Sequence, residues 1–364
     1  MNELAQAATN PALGVLIFTA GGLAGAVFYL PFKKVKGWAW ESYWLVYALF
    51  GLVVVPWALA LAFSPNVLTV LKSTPDANLA YCYLCGAAWG VGGLTWGLMI
   101  RYLGVGLGLA IGCGLCSAAG TLIPPILSGN LDKLYGTASA NVTLFSVVVS
   151  LIGIIAVGMA GMSKEKELSE EAKKKAVAEF NFRKGISVAV FSGLMSSAMS
   201  FGLQGGAKIE QLAQTTAPVT SSTWRGMPVL VVVLAGGFTV NFLWCLFLNL
   251  KNKTIGDYVK SRAPLAGNLI FAGIAGAVWC SQFICFKTGE PTMGKTAYVG
   301  WAVLMASSIL FSSLLGILLG EWKGTSGRTR SLLATGLVLL ILSTVLAGYS
   351  GYLSQVRTAL AMAR

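Results

Sequence analysis

The sequence predicts an all-α membrane protein with ten transmembrane helices in two inverted five-helix repeats. Three observations predict it. The composition is 56% hydrophobic and only 11% charged, with a mean hydropathy of +0.74, whereas soluble domains carry about 25% charged residues. Apolar runs long enough to cross a bilayer, about 20 residues each, recur ten times. A charged segment divides these runs five and five. Five is odd, so the second half begins on the opposite face of the membrane from the first, which is the inverted-repeat plan.

The ten spans fall at roughly 11–31, 42–63, 78–100, 104–127, 141–162, 184–205, 226–249, 266–288, 294–319 and 331–353. The first follows a terminus with no basic residue and runs to full spanning length, so it does not read as a cleaved signal. Pro56 predicts a kink in the second span, and Pro124 with Pro125 predict a bend or an end in the fourth, because proline lacks a backbone donor. Spans three and four form a hairpin with a very short turn at 101–104. The third carries Trp89 and Trp96 on one helical face. The fourth carries Gly104, Gly108, Gly112, Cys116 and Gly120 at steps of four, a row of small residues on which another helix packs closely.

The first repeat is placed at 1–162, a cytoplasmic charged linker at 163–183, and the second repeat at 184–364. Within the linker Ser169 caps a predicted surface helix, with Glu170 to Lys174 and Glu171 to Lys175 paired at four-residue spacing. The net charge is +13, from 26 Lys and Arg against 13 Asp and Glu. These basic residues lie between apolar runs, so the lipid bilayer explains them and nucleic acid does not. Of the 26, 18 lie in the odd-numbered connections. The odd loops are therefore expected in the cytoplasm, with both termini periplasmic.

No catalytic constellation is visible, and an enzyme is not expected. The chain has no His, and its Asp and Glu lie at or near predicted span ends. Cys82-x-x-Cys85 and Cys113-x-x-Cys116 have metal-site spacing but sit inside apolar runs, so they read as small helix residues, with no metal and no cofactor. The run GVGLGLAIGCG follows a helix rather than a strand, which excludes a dinucleotide fingerprint.

What the spans offer is neutral polar and aromatic side chains. In the sixth, Gly193, Ser197, Ser200 and Gln204 share a face. Asn241 lies in the seventh, Trp279 and Gln282 in the eighth, and Tyr298 with Trp301 open the ninth. Amides in hydrocarbon need partners or water. They serve either as interhelical glue or as the lining of a cavity. Indoles combined with amides suit a sugar, whose hydroxyls hydrogen-bond and whose C–H face lies on an aromatic plane. Trp89, Trp96, Gln204, Asn241, Trp279, Gln282 and Tyr298 are the candidate substrate residues. Trp38, Trp40, Trp44 and Trp322, near span ends, read as interfacial anchors.

Five segments carry a family resemblance: FYLPFKKVKGWAWE from Phe28, WGVGGLTWGLMIRYLGVGLG from Trp89, GTLIPPILSGN from Gly120, EFNFRKG from Glu179 and LLGEWKG from Leu318. In order and spacing they resemble the L-rhamnose–proton symporter family of the drug/metabolite transporter superfamily. Glu321 also resembles a recurring superfamily feature. The resemblance implies ten helices in inverted repeats and a central cavity. It implies import of L-rhamnose or a related deoxy-sugar with a proton, by alternating access across the bacterial inner membrane. Where some family members carry His and Asp, at the turn between spans eight and nine, this chain has Lys287, Glu290 and Lys295. Glu290 and Lys287 are the candidate ion-coupling pair. Glu290 reads either as a buried proton-loading carboxylate or as a loop residue paired with Lys287. The alternative function is export or exchange of another small metabolite, since Lys287 and Lys295 suit an anion. A sensor or scaffold rests only on the charged linker.

Overall fold

The computed structural model describes residues 10–103, 105–129, 135–167, 181–259, 264–320 and 322–362. Among them no strand occurs, and nine helical segments are long and apolar enough to cross a membrane. The chain is a multi-pass helical membrane protein.

Helix α1 is Pro11–Val27, followed by a 3-10 turn at Leu30–Lys34. Asn10 starts it by accepting from the Leu13 amide at 3.1 Å, and Pro11 takes the first position, where no donor is needed. The second span is Trp40–Phe63, built of α2 (Trp40–Leu49), a π-helical turn (Phe50–Val54) and α3 (Val55–Phe63). The expected disturbance at Pro56 takes this form. The wider π turn lies directly before the proline, where its ring would crowd the Leu52 carbonyl. A short helix, α4 (Val67–Ser73), leads into α5 (Asp76–Leu103). Helix α6 is Val105–Leu127 and ends two residues after Pro125. Its strongly apolar part is the shorter Ile111–Leu127.

Helix α7 is Ala138–Glu167 and α8 is Phe182–Gly205, capped by Asn181 through the Lys184 amide at 3.1 Å. Next come α9 (Ala207–Thr215), α10 (Met227–Lys251), α11 (Leu265–Met293), α12 (Gly300–Leu318) and α13 (Gly327–Met362). The expected surface helix over 169–175 and the Glu321 feature lie outside the described residues. So does Gly104, at the head of the small-residue row. The short helices α4 and α9 have no counterpart in the hydropathy reading, because neither is long enough to register as a span.

Packing joins early helices to late ones. The principal neighbours are α7 with α13, α5 with α8 and α10, α6 with α8, α1 with α11 and α12, and α2 with both α10 and α11. Two of these crossings are closed by reciprocal glycines. At α5–α10, a side chain on Gly86 would strike the Val233 carbonyl and one on Gly236 the Tyr83 carbonyl. At α2–α11, a side chain on Gly51 would sit 2.7 Å from the Gly276 carbonyl oxygen, and one on Gly276 2.8 Å from the Gly51 amide. Such backbone approach is what small residues permit in lipid.

The second span is fastened at both ends to the segments that flank α10. At one end, Glu41 accepts from Asn252 and Thr254, both at 2.9 Å. There also Asp257 accepts from the Ser42 hydroxyl at 2.6 Å and the Ala39 amide at 2.9 Å. The Tyr258 hydroxyl donates to the Ser42 carbonyl, and burial pushes this phenol up to about 12, so it remains a donor at physiological pH. At the other end, Ser64 and Thr220 hydroxyls meet at 2.8 Å, and Phe63 stacks on Trp224 at 4.2 Å. There Asn66 receives the Thr220 hydroxyl at 2.6 Å and donates to the Ala213 and Thr216 carbonyls at 2.8 and 2.7 Å. Asn66 is 1% exposed. Asn66→Ala removes three hydrogen bonds from this connection and is expected to cost about 2 kcal/mol, read as a lower thermal-unfolding midpoint in detergent.

Candidate functional site

An aromatic column runs along the interior. Trp44 meets Tyr47 at 4.7 Å between ring centroids, Tyr47 meets Trp279 at 5.9 Å, and Trp279 meets both Trp89 at 5.1 Å and Phe283 at 4.7 Å. Phe283 continues to Trp301 at 6.3 Å, and Trp301 to Phe286 at 5.7 Å. The column is assembled by α2, α5, α11 and α12. Trp279, Phe283 and Phe286 follow one face of α11 at helical spacing. Trp89 is held in place where Gly237 of α10 leaves room for its ring.

Asn241 joins this centre. It donates to the Gly237 carbonyl at 2.9 Å and accepts from the Trp44 indole at 2.9 Å. Trp89, Asn241 and Trp279 therefore come together. Trp44, expected as an interfacial anchor, instead turns its N–H inward and lies between Phe32 and Tyr47. Its place three residues before Tyr47, on the same face of α2, was the available signal.

Trp96 and Gln204 lie along α8. The Trp96 indole donates to the Ser196 hydroxyl at 2.8 Å, and the ring rests over Gly112. Gln204 donates to the Ser200 hydroxyl at 2.6 Å and to the Gly120 carbonyl at 3.2 Å, and Ser200 donates to the same carbonyl at 2.6 Å. Trp301 packs on Gly120 and donates to the Cys116 carbonyl at 3.1 Å, so the small-residue row of α6 receives both indoles. Gln282 takes a different direction. It donates to the Trp279 carbonyl at 3.0 Å, and its oxygen lies over Gly25 of α1, close to Ser308 of α12. Tyr298 is buried in the 3-10 turn Gly294–Val299 before α12.

Beyond the column, toward the end of α11, lies a charged quartet. Lys287 is 2% exposed and Glu290 9%, both within the helix, so Glu290 is not a loop residue. The Lys287 ammonium pairs with Glu290 and with Glu210 of α9, and donates to the Leu203 carbonyl at 3.1 Å. Arg225 holds the other oxygen of Glu210 at 3.0 Å and reaches Gln214 at 3.5 Å. Formal charges in the quartet cancel, and the Lys287 stem packs on Gly226. Glu210 and Arg225 escaped the sequence reading because they lie in a connection. The usable signal was Ile209 and Ala213 at four-residue spacing, which marks a short helix with an apolar face beside Glu210.

Among the described residues no group of three or more His, Cys, Asp or Glu is placed to hold a metal ion. A separate groove of about 480 Å³ opens between α3, α4, α5 and α10, lined by Trp57, Leu71, Leu79, Tyr83 and Val231 among others. Its lining is apolar and includes none of the candidate residues.

Residues 7–352 match the family model described as L-rhamnose-proton symport protein (RhaT). The chain is 32% identical over 340 residues to the L-rhamnose-proton symporters of Yersinia pestis (strain Pestoides F) and Yersinia pseudotuberculosis serotype O:1b (strain IP 31758). Each alignment covers 92% of this chain and 97% of the relative. With nearly its whole length matched, and with a helical membrane fold around an indole-and-amide centre, the chain belongs to the L-rhamnose-proton symport protein family, whose members are transporters rather than enzymes.

Proposed function

We propose that this protein imports L-rhamnose, or a closely related deoxy-sugar, together with protons across the bacterial inner membrane by alternating access. The observation that carries the reading is the Trp89–Trp279 pair with Asn241 and Trp44 beside it, contributed by helices from both parts of the chain. An indole face takes the C–H face of a pyranose, and the amide supplies hydroxyl partners. Trp96 with Ser196, Gln204 with Ser200, Gln282 and Tyr298 provide further groups along the same interior. Lys287 and Glu290 are the ion-coupling pair.

The architecture of the proposal is ten spans in two inverted repeats, 1–162 and 184–364, joined by the cytoplasmic segment 163–183, with α6 as the fourth span. The packing supports it. Exchange each span for the one five places along, and the neighbours map onto neighbours: α5–α8 onto α11–α1, α6–α8 onto α12–α1, α5–α10 onto α11–α2, while α7–α13 maps onto itself. The glycine crossings Gly86–Gly236 and Gly276–Gly51 correspond in the same way. The charge distribution supports odd loops in the cytoplasm and periplasmic termini.

Uptake of labelled L-rhamnose into proteoliposomes tests the reading. An inward proton gradient is expected to drive accumulation that a protonophore collapses. No uptake or binding across a deoxy-sugar panel rejects the substrate class. Uptake indifferent to the protonophore assigns coupling to another ion. Trp279→Leu removes one stacking surface and is expected to weaken sugar binding about tenfold, measured by isothermal titration in detergent.

A further inference from the structure

The Lys287 ammonium is shared by two carboxylates on different mechanical parts. Glu290 belongs to the same membrane helix, one turn along. Glu210 belongs to α9, a nine-residue helix between the membrane helices α8 and α10. This short helix presses Ile209 and Ala213 inward, both 0% exposed. It rests on α4 and α10, and Asn66 holds its last turn through the Ala213 and Thr216 carbonyls. Glu210 is its charged tie to α11.

The two carboxylates differ in their compensation. Glu210 pairs directly with two cations, Lys287 and Arg225, whereas Glu290 pairs directly with Lys287 and faces Arg225 and Glu210 at longer range. The Cys82 thiol of α5 also faces Lys287 and Glu210. A proton on Glu290 removes one claimant for the ammonium and leaves Glu210 paired on both oxygens. A proton leaving Glu290 restores the competition and weakens the tie.

We infer that Glu210 and Glu290 compete for the single ammonium of Lys287, so that a proton on Glu290 transfers Lys287 to Glu210 and pins α9 against α11. The inference rests on the coupling role proposed for Glu290 and supplies its mechanical output: α9 is a cap whose hold on the bundle tightens when the coupling proton binds. Glu210 and Arg225 are positioning residues in this scheme and touch neither sugar nor proton. The balance is simple. Glu290 gains one proton from water, no covalent bond between residues forms, and of the two ion pairs the ammonium makes, the one to Glu290 is lost while the one to Glu210 is kept without a competitor.

Backbone hydrogen exchange of α9 in detergent, corrected for the intrinsic pH dependence of exchange, reads the cap directly and needs no transport. In the wild-type protein α9 is expected to exchange about tenfold more slowly at pH 5.5 than at pH 8. Glu290→Gln is expected to give slow exchange at both values, and Glu210→Gln fast exchange at both. Arg225→Gln, at a partly exposed position, speeds exchange at both but keeps the pH response. Wild-type exchange without pH dependence overturns the inference, as does a Glu290→Gln protein that keeps the wild-type response. Proton-driven uptake measured alongside separates the two levels. A pH-indifferent cap in a protein that still couples sugar to protons removes the latch alone. A switching cap without proton-driven uptake removes the coupling reading alone.

Discussion

Lys287→Met is expected to lower stability by about 3–5 kcal/mol and to abolish proton-driven sugar accumulation. The substitution keeps the length of the stem that packs on Gly226 but removes the ammonium. Glu290 is then a buried carboxylate without its cation, and Glu210 keeps only Arg225. Breaking a buried pair by deleting one partner leaves an uncompensated charge in a medium that solvates it poorly, which is the origin of that magnitude. The double variant Lys287→Met/Glu290→Gln removes the stranded charge with the cation. It is expected to recover most of the lost stability while accumulation stays abolished. Thermal unfolding in detergent, paired with uptake in proteoliposomes, separates the two effects. A Lys287→Met protein as stable as wild type excludes the quartet as a structural element.

The second large effect is expected at Gly236. Its missing side chain is where the Tyr83 carbonyl passes, and the Ala87 amide lies 2.8 Å from the position a Cβ would take. Both obstacles are backbone, so no rotamer change relieves them. Gly236→Val must separate α5 from α10, and the Trp89 ring, seated over neighbouring Gly237, shifts with α5. Overpacking costs about 1–3 kcal/mol where side chains give way, and this site sits at or beyond the upper end because helix axes must part. The expected result is poor recovery of folded protein by size-exclusion chromatography. Gly93, whose Cβ position meets nothing within 4 Å, is the control: Gly93→Ala is expected to fold normally.

Much of the scaffold was legible because bilayer thickness imposes a length on apolar runs. The sixth span, expected at 184–205, is α8 at Phe182–Gly205. The α6 row was legible for the same kind of reason, since steps of four define a helical face, and Gly112 and Gly120 each receive an indole. The site was less legible, because helical periodicity gives a face but not the helix opposite it. Trp89 and Trp279, 190 positions apart, meet only through the folding of the whole chain. Gln282, three residues from Trp279, turns toward α1 instead. Trp44 looked like an anchor because span ends usually meet headgroups, and here the end of α2 is covered by α10 and its following turn. The quartet needed Glu210, and hydropathy passes over a nine-residue helix.

The double fastening of the second span to the segments flanking α10 bears, under the proposed transport, on how a cell keeps its voltage. If each fastening opens at a cost of about 3 kcal/mol, each is undone in about one molecule in a hundred at any instant. Were the two to open independently, both would be undone together in about one in ten thousand. A carrier gaping at both faces short-circuits the gradient that drives it. Under the proposed alternating access, hydrogen bonds such as those of Glu41 and Asn66 would act as insulation, and weakening either set is expected to be felt first as leakage of ions in the absence of sugar.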